Sequence, residues 1–209
     1  MAILTPNQEY ASLASDDRIE RTRQALEDNG IGSVVVETGE EAAATVLEMI
    51  PPGAEVFNAT SRTLEVIGLA KEIQESGRFD AVRPRLYAMD RQTQGNEMRK
   101  LGAAPDFVVG SVHAVTEQGQ LMIASFSGSQ LGPYVSGGGR VIWVIGAQKI
   151  VRDLDEGLRR IREYSYPLED ARLREAYGIG SGISKILIIN REIAPGRARV
   201  VLVKEALGF

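Results

Sequence analysis

Two short runs set the frame of this chain. Phe107–Val109 and Val141–Ile145 are apolar throughout and rich in β-branched residues. A strand with no polar face has to be covered on both sides, as in a parallel sheet between layers of helices. Between the runs, Val112–Thr116 and Gln120–Ser125 flank Glu117-Gln118-Gly119, the pattern of a β-hairpin closed by a short glycine-containing turn. Small residues then gather at Ser127, Gly128, Ser129, Gly132, Ser136, Gly137, Gly138 and Gly139. Backbone without bulky side chains lets a ligand or a second backbone come close. The site is therefore expected within Asp106–Val151.

The remainder of the chain alternates helix and strand patterns. Residues 1–14 read as an N-terminal arm and 15–209 as a single α/β domain. Asp16 or Asp17 caps a helix with Ile19 and Leu26 inward and Gly30 past its end. Ser33–Val36 is a strand, and Glu40 and Glu41 open a helix carrying Ala43, Val46, Leu47 and Ile50 on one face. Glu55–Phe57 is a short strand leading into Asn58–Ser61, from which one helix is expected to run to Ser76. Phe79–Ala88 reads as short strands interrupted by Pro84, and Asp90–Leu101 as a polar helical connection. Asp153 or Asp155 starts a charged helix with Leu154, Leu158 and Ile161 inward, broken by Pro167. A second helix covers Glu169–Tyr177. Lys185–Asn190 and Arg199–Lys204, separated by Pro195-Gly196, read as a hairpin. The alternation predicts a three-layer α/β/α fold with a largely parallel sheet plus β-hairpins.

Composition removes several function classes. The 209 residues suffice for one sizeable domain. Lys and Arg number 24 against 28 Asp and Glu, a net charge of −4 with no long basic run, which disfavours a nucleic-acid partner. The chain has no cysteine, which excludes disulfides, zinc thiolate sites and a Cys-ligated iron–sulfur cluster. No apolar run approaches the ~20 residues of a membrane span, and the first residues lack the pattern of a signal peptide. The expectation is a cytoplasmic protein without metal or cofactor. The sequence leaves its oligomeric state, homo-oligomer included, open.

Several residues are candidates for chemistry. Asn58, Thr60, Ser61, Arg62 and Thr63 lie between a strand and a helix, where free N–H groups and hydroxyls suit phosphate or carboxylate. An ordinary helix cap by Thr60 or Ser61 explains the same residues. Lys149 follows a buried strand, the position at which open α/β sheets gather ligands. Glu117 sits in the hairpin turn, where a carboxylate is a base, a nucleophile or merely solvated. His113, the one histidine, reads as a packing residue beside apolar neighbours. Gly178–Lys185 breaks the spacing of nucleotide-binding loops, and Ser125, Ser127 and Ser129 lack a nucleophile elbow. By Brändén's rule, Asn58–Thr63 and Ser127–Gly139 are expected to face each other across one cleft. Ser127, Gly128, Ser129, Gln130, Gly138 and Gly139 would be its second wall.

Five segments together resemble the LUD (lactate-utilisation) domain family: Thr63–Leu69 (TLEVIGL), Gly110–Gly119 (GSVHAVTEQG), Val144–Val151 (VIGAQKIV), Lys185–Asn190 (KILIIN) and Val203–Phe209 (VKEALGF). The resemblance covers residues 15–209. It implies a fold similar to glucosamine-phosphate deaminase, ribose-phosphate isomerase and the CoA transferases, with Asn58–Thr63 as counterpart of their phosphate loop. It implies a resemblance of Glu117 to the nucleophilic glutamate of CoA transferases. Gly128-Ser129-Gln130 stands where many members have Gly-Asn-Arg, so that arginine's contact is absent here. The functional implication is support of L-lactate or related 2-hydroxy-acid oxidation, as the cluster-free partner of iron–sulfur proteins. The alternatives are a stand-alone enzyme acting on a phosphorylated sugar or an acyl-CoA, and a ligand-sensing module.

Overall fold

A computed structural model describes residues 4–209. In chain order it contains α1 (Asp16–Asp28), β1 (Gly32–Val36), α2 (Gly39–Met49), β2 (Glu55–Asn58), α3 (Arg62–Val66), α4 (Leu69–Glu75), β3 (Asp80–Ala81), α5 (Val82–Ala88), α6 (Gly95–Ala103), β4 (Phe107–Gly110), β5 (Ala114–Thr116), β6 (Leu121–Ser125), β7 (Arg140–Gly146), β8 (Ile150–Val151), α7 (Leu154–Arg160), α8 (Tyr166–Tyr177), β9 (Lys185–Ile189) and β10 (Ala198–Val203). Strands β1-β10-β7-β4-β2-β3 form a six-stranded sheet in which every pairing is parallel. Strands β8-β5-β6-β9 form a second, mixed sheet.

Side-chain alternation along the central strands builds two cores from one sheet. Val200 and Leu202 of β10 join Val141, Trp143 and Ile145 of β7 on one face, against α1 and the inner side of the small sheet. Val201 and Val203 join Ile142 and Val144 on the other, against α2, α3 and α4. Met122 and Ala124 turn the outer side of the small sheet toward Leu154 and Leu158 of α7. This is an α/β fold with a largely parallel sheet covered on both faces. Residues 7–11 lie against the body of the protein, where the Asn7 N–H donates to the Glu163 carbonyl at 2.8 Å.

Four local expectations differ from what is observed. The helix after β2 is split into α3 and α4 because Gly68 takes a left-handed conformation, φ 73°, that no helix interior accommodates. Pro84 lies in α5 and does not interrupt a strand, since it falls in the first turn, where a missing N–H costs nothing. Pro167 likewise sits in the first turn of α8, which α7 reaches through a π-helical turn at Ile161–Ser165. The last two strands do not pair as a hairpin. Half-exposed β9 takes an edge of the small sheet, whereas β10, apolar on both faces, inserts between β1 and β7. Among the described residues no helix is long and apolar enough to cross a membrane.

Candidate functional site

The carboxyl ends of β2, β4 and β7 open into one cleft of about 530 Å³. Thr60, Ser61, Arg62 and Thr63 follow β2, Ser111 and His113 follow β4, and Lys149 follows β7. The end of β6 adds Ser125, Ser127, Ser129 and Gln130. Arg83 and Tyr87 of α5, Arg91, and Glu169, Arg172 and Tyr177 of α8 complete the rim. Open α/β sheets place ligands at this end of their strands.

Lys149 forms the floor. It is 1% exposed, and its Nζ donates to Thr63 Oγ1 at 2.9 Å and Ser111 Oγ at 3.0 Å. Thr63 in turn donates its hydroxyl proton to the Leu207 carbonyl at 3.0 Å. Burial, and then the nearby Arg160 charge, push the Lys149 amine well below its ordinary range. Lys149→Met should therefore raise stability by about 1 kcal/mol in urea denaturation, because it removes a desolvated amine that nothing acidic compensates.

His113 stands beside this lysine. His113 lines the cleft, and its Nδ1 accepts the Ala124 N–H at 3.1 Å, so in the neutral ring Nε2 carries the proton and is a donor. Burial, with Lys149 and Arg160 adding to it, lowers its pKa to about 3. In the unfolded chain a histidine titrates near 6.5, so the unfolded state takes up a proton first as pH falls. Stability is then complete above about pH 6.5 and is lost between 6.5 and about 3. Urea midpoints measured down that range should fall more steeply for the wild type than for His113→Gln, by up to about one proton's worth of slope.

The rim is cationic. The Arg83 guanidinium lines the cleft, donates to the Asn58 carbonyl at 3.1 and 2.9 Å and to the Tyr87 hydroxyl at 3.5 Å, and lies over the Phe57 ring. Arg172 is held by Glu169 at 2.7 and 2.8 Å, and Arg62 by Glu65 at 2.8 Å. Glu169 is the one carboxylate among the lining side chains described. The Ser61 hydroxyl accepts the Leu64 N–H at 3.5 Å as the cap of α3. Among the described residues no group of three or more His, Asp or Glu side chains is arranged to hold a metal.

The candidates thus separate. Thr60, Ser61, Arg62, Thr63, Ser127, Ser129, Gln130 and Lys149 share the cleft. Asn58 lies beneath it, buried, with its carbonyl taken by Arg83. Gly128 supports the wall, donating its N–H to Ser125 Oγ at 2.8 Å. Gly138 and Gly139 are at the opposite, amino end of β7, outside this cleft, their N–H groups bonded to the Pro133 and Pro105 carbonyls.

Glu117 is also elsewhere. Its turn packs on α1, where the carboxylate accepts from Arg18 at 2.7 Å and Arg21 at 3.1 Å. Burial pushes its pKa up, but the two arginine hydrogen bonds outweigh that and hold it below the usual range. Glu117 thus lies outside the lining of the cleft, with both oxygens engaged by arginines. Gly119 is small because the Ala25 backbone of α1 lies 2.7 Å from where its Cβ would be, and not to admit a substrate.

Arg83, Arg91, Arg172, Ser111 and Tyr177 were not among the sequence candidates. Nothing local distinguishes them from solvated helix and loop residues; tertiary packing alone brings them to the cleft.

The fold comparison agrees with this architecture. A DUF162 family protein from Deinococcus radiodurans superposes with a TM-score of 0.53 at 13% identity, over 92% of this chain and 98% of that one. Ribose 5-phosphate isomerase A from Neisseria gonorrhoeae is a more distant similarity, at 11% identity, 68% and 57% coverage and TM-score 0.33. So is eIF2B delta from Chaetomium thermophilum, at 14% identity, 69% and 57% coverage and TM-score 0.34. No curated protein matches the chain significantly. The LUD domain profile matches residues 19–203, nearly the whole α/β body just described, and the chain belongs to the LUD domain family.

Proposed function

We propose that the cleft binds a small carboxylate, L-lactate or a related 2-hydroxy acid or its 2-oxo counterpart. In this reading the chain supports the utilisation of that acid in the cytoplasm, as the cluster-free partner of iron–sulfur oxidoreductase proteins. The observation that carries the proposal is the donor set: Arg62, Arg83, Arg91 and Arg172 line one cleft in which Glu169 is the one acidic side chain among the described residues, in a chain whose net charge is −4. Concentrating cations in a cleft of an acidic protein raises the local concentration of anions and selects for them. The partner assignment rests on the family.

A second reading is kept alive by the size of the cleft. At about 530 Å³ it is roomier than lactate requires and falls in the range of sites for larger metabolites. The hydroxyls of Thr60, Ser61 and Thr63 are suited to a phosphate. A phosphorylated sugar or the acyl end of an acyl-CoA is the alternative ligand.

Isothermal titration of L-lactate, pyruvate, a pentose phosphate and acetyl-CoA decides between them. Arg83→Ala should weaken the true ligand about 10- to 100-fold, the loss of one charge-assisted hydrogen bond. Arg62→Ala and Arg172→Ala should each weaken it less, because Glu65 and Glu169 already occupy those guanidinium groups. Undiminished affinity in both Arg83→Ala and Arg172→Ala would remove the rim from the site. Recovery of iron–sulfur proteins with a tagged copy from lactate-grown cells tests the partnership.

A further inference from the structure

The cationic rim explains why an anion enters the cleft but not the state of the amine at its floor. Among the described residues Lys149 touches no carboxylate, and its hydrogen-bond partners are the hydroxyls of Thr63 and Ser111. The charged neighbour that bears on it is Arg160, which is itself buried and cationic. Burial beside another cation disfavours the ammonium relative to one in water, which eases loss of its proton. A neutral amine carries two N–H bonds and one lone pair. Thr63 has committed its proton to the Leu207 carbonyl, so toward Lys149 it can only accept. With Ser111 accepting the second N–H, the lone pair is left over, and Lys149 lines the cleft.

We propose that Lys149 is a nucleophile that captures the carbonyl carbon of a small 2-oxo acid as an imine. The proposal rests on the reading of the cleft as a carboxylate site, since the guanidinium groups of the rim would hold the acid group while the carbonyl meets the amine. The lone pair of Nζ attacks the carbonyl carbon and the C=O pair moves onto oxygen. The two protons of the amine leave with that oxygen as water, and a C=N bond replaces the C=O bond. Nothing is oxidised or reduced. The His113 Nε2–H, whose tautomer the Ala124 N–H fixes, is a hydrogen-bond donor for the oxygen as negative charge develops on it. A 2-hydroxy acid has no carbonyl carbon to attack and would bind without bonding, so the site would distinguish the two redox states of one acid.

The test is reductive trapping. The purified protein is incubated with pyruvate and sodium cyanoborohydride, followed by intact mass measurement and peptide mapping, with L-lactate as the control ligand and calorimetry in parallel. The expected result is one adduct, mapped to Lys149, formed with pyruvate and not with lactate and absent from Lys149→Met whose thermal melt is intact. The trapping rate should also rise with pH at a lower midpoint than labelling of exposed lysines. If pyruvate binds by calorimetry and no adduct forms on Lys149, the imine is overturned and the carboxylate site stands. If neither acid binds, both readings fall. Equal labelling of Lys149 and surface lysines also overturns the proposal.

Discussion

Gly110→Ala should cost this protein on the order of 3 kcal/mol, and Tyr134→Phe should recover part of that loss. A Cβ at position 110 would lie 1.7 Å from the Tyr134 hydroxyl oxygen and 2.8 Å from Cζ. The tyrosine cannot swing aside, because it is buried and packed on Trp143 with ring centroids 5.4 Å apart. Removing the hydroxyl relieves the worst contact and leaves the ring edge tight, so recovery is incomplete. Urea denaturation of both single variants and the double variant should give a coupling of more than about 1 kcal/mol. Additive losses would mean that β4 shifts instead. Gly110 immediately precedes Ser111, an acceptor for Lys149, so ligand affinity should fall along with stability.

Arg160→Ala has the second large expected effect, about 3 kcal/mol of stability together with upward pKa shifts at His113 and Lys149. The guanidinium is fully buried above the Tyr164 ring. It donates to the carbonyls of His113 and Gln148 and to Ser165 Oγ. Truncation strands those acceptors, at about 1–3 kcal/mol for each one left unsatisfied. Burial lowers its own pKa only to about 10, so it stays charged at neutral pH and opposes protonation of both neighbours. The shift is measurable as the NMR titration of the His113 ring, which should move up. Arg160→Lys should not restore stability, because a single ammonium cannot reach the three acceptors as the planar fork does. A histidine midpoint unchanged in Arg160→Ala would contradict the electrostatic part of this account.

Lys149 and Arg160 mark where the sequence was readable and where it was not. Strands such as Val141–Ile145 were legible because continuous apolar runs have one use in a folded chain, a strand buried on both faces. Lys149 was legible as a candidate because it follows such a strand, and the carboxyl ends of parallel strands are where ligands gather. Arg160 was not. It lies in a helix rich in Asp, Glu and Arg, where its neighbours Arg159 and Arg162 are solvated, and no local pattern separates a buried arginine from an exposed one. The surroundings of Glu117 were hidden for a related reason. Its turn resembles a nucleophile's, but the residues that decide its chemistry, Arg18 and Arg21, lie almost a hundred positions away in sequence, at separations of 99 and 96. The final pair of strands read as a hairpin because pairing is invisible in a strand's own composition. Only the absence of any polar face on Val200–Val203 hinted that it belonged at the centre of a sheet.

That central position has a kinetic consequence. β1 pairs with β10 alone, and β10 is what joins it to β7. Residues 32–36 are synthesised early and find their hydrogen-bonding partner only after residues 198–203 have emerged. Parallel contacts of such wide sequence separation fold slowly, since the loop-closure entropy is lost before the pairing compensates it. For that interval the nascent chain carries two unsatisfied strand edges, one on β1 and one on β7, both apolar and both templates for pairing with another chain. Nascent copies should be most prone to aggregation, and most dependent on chaperones, until Ala198–Val203 slides in and closes the sheet.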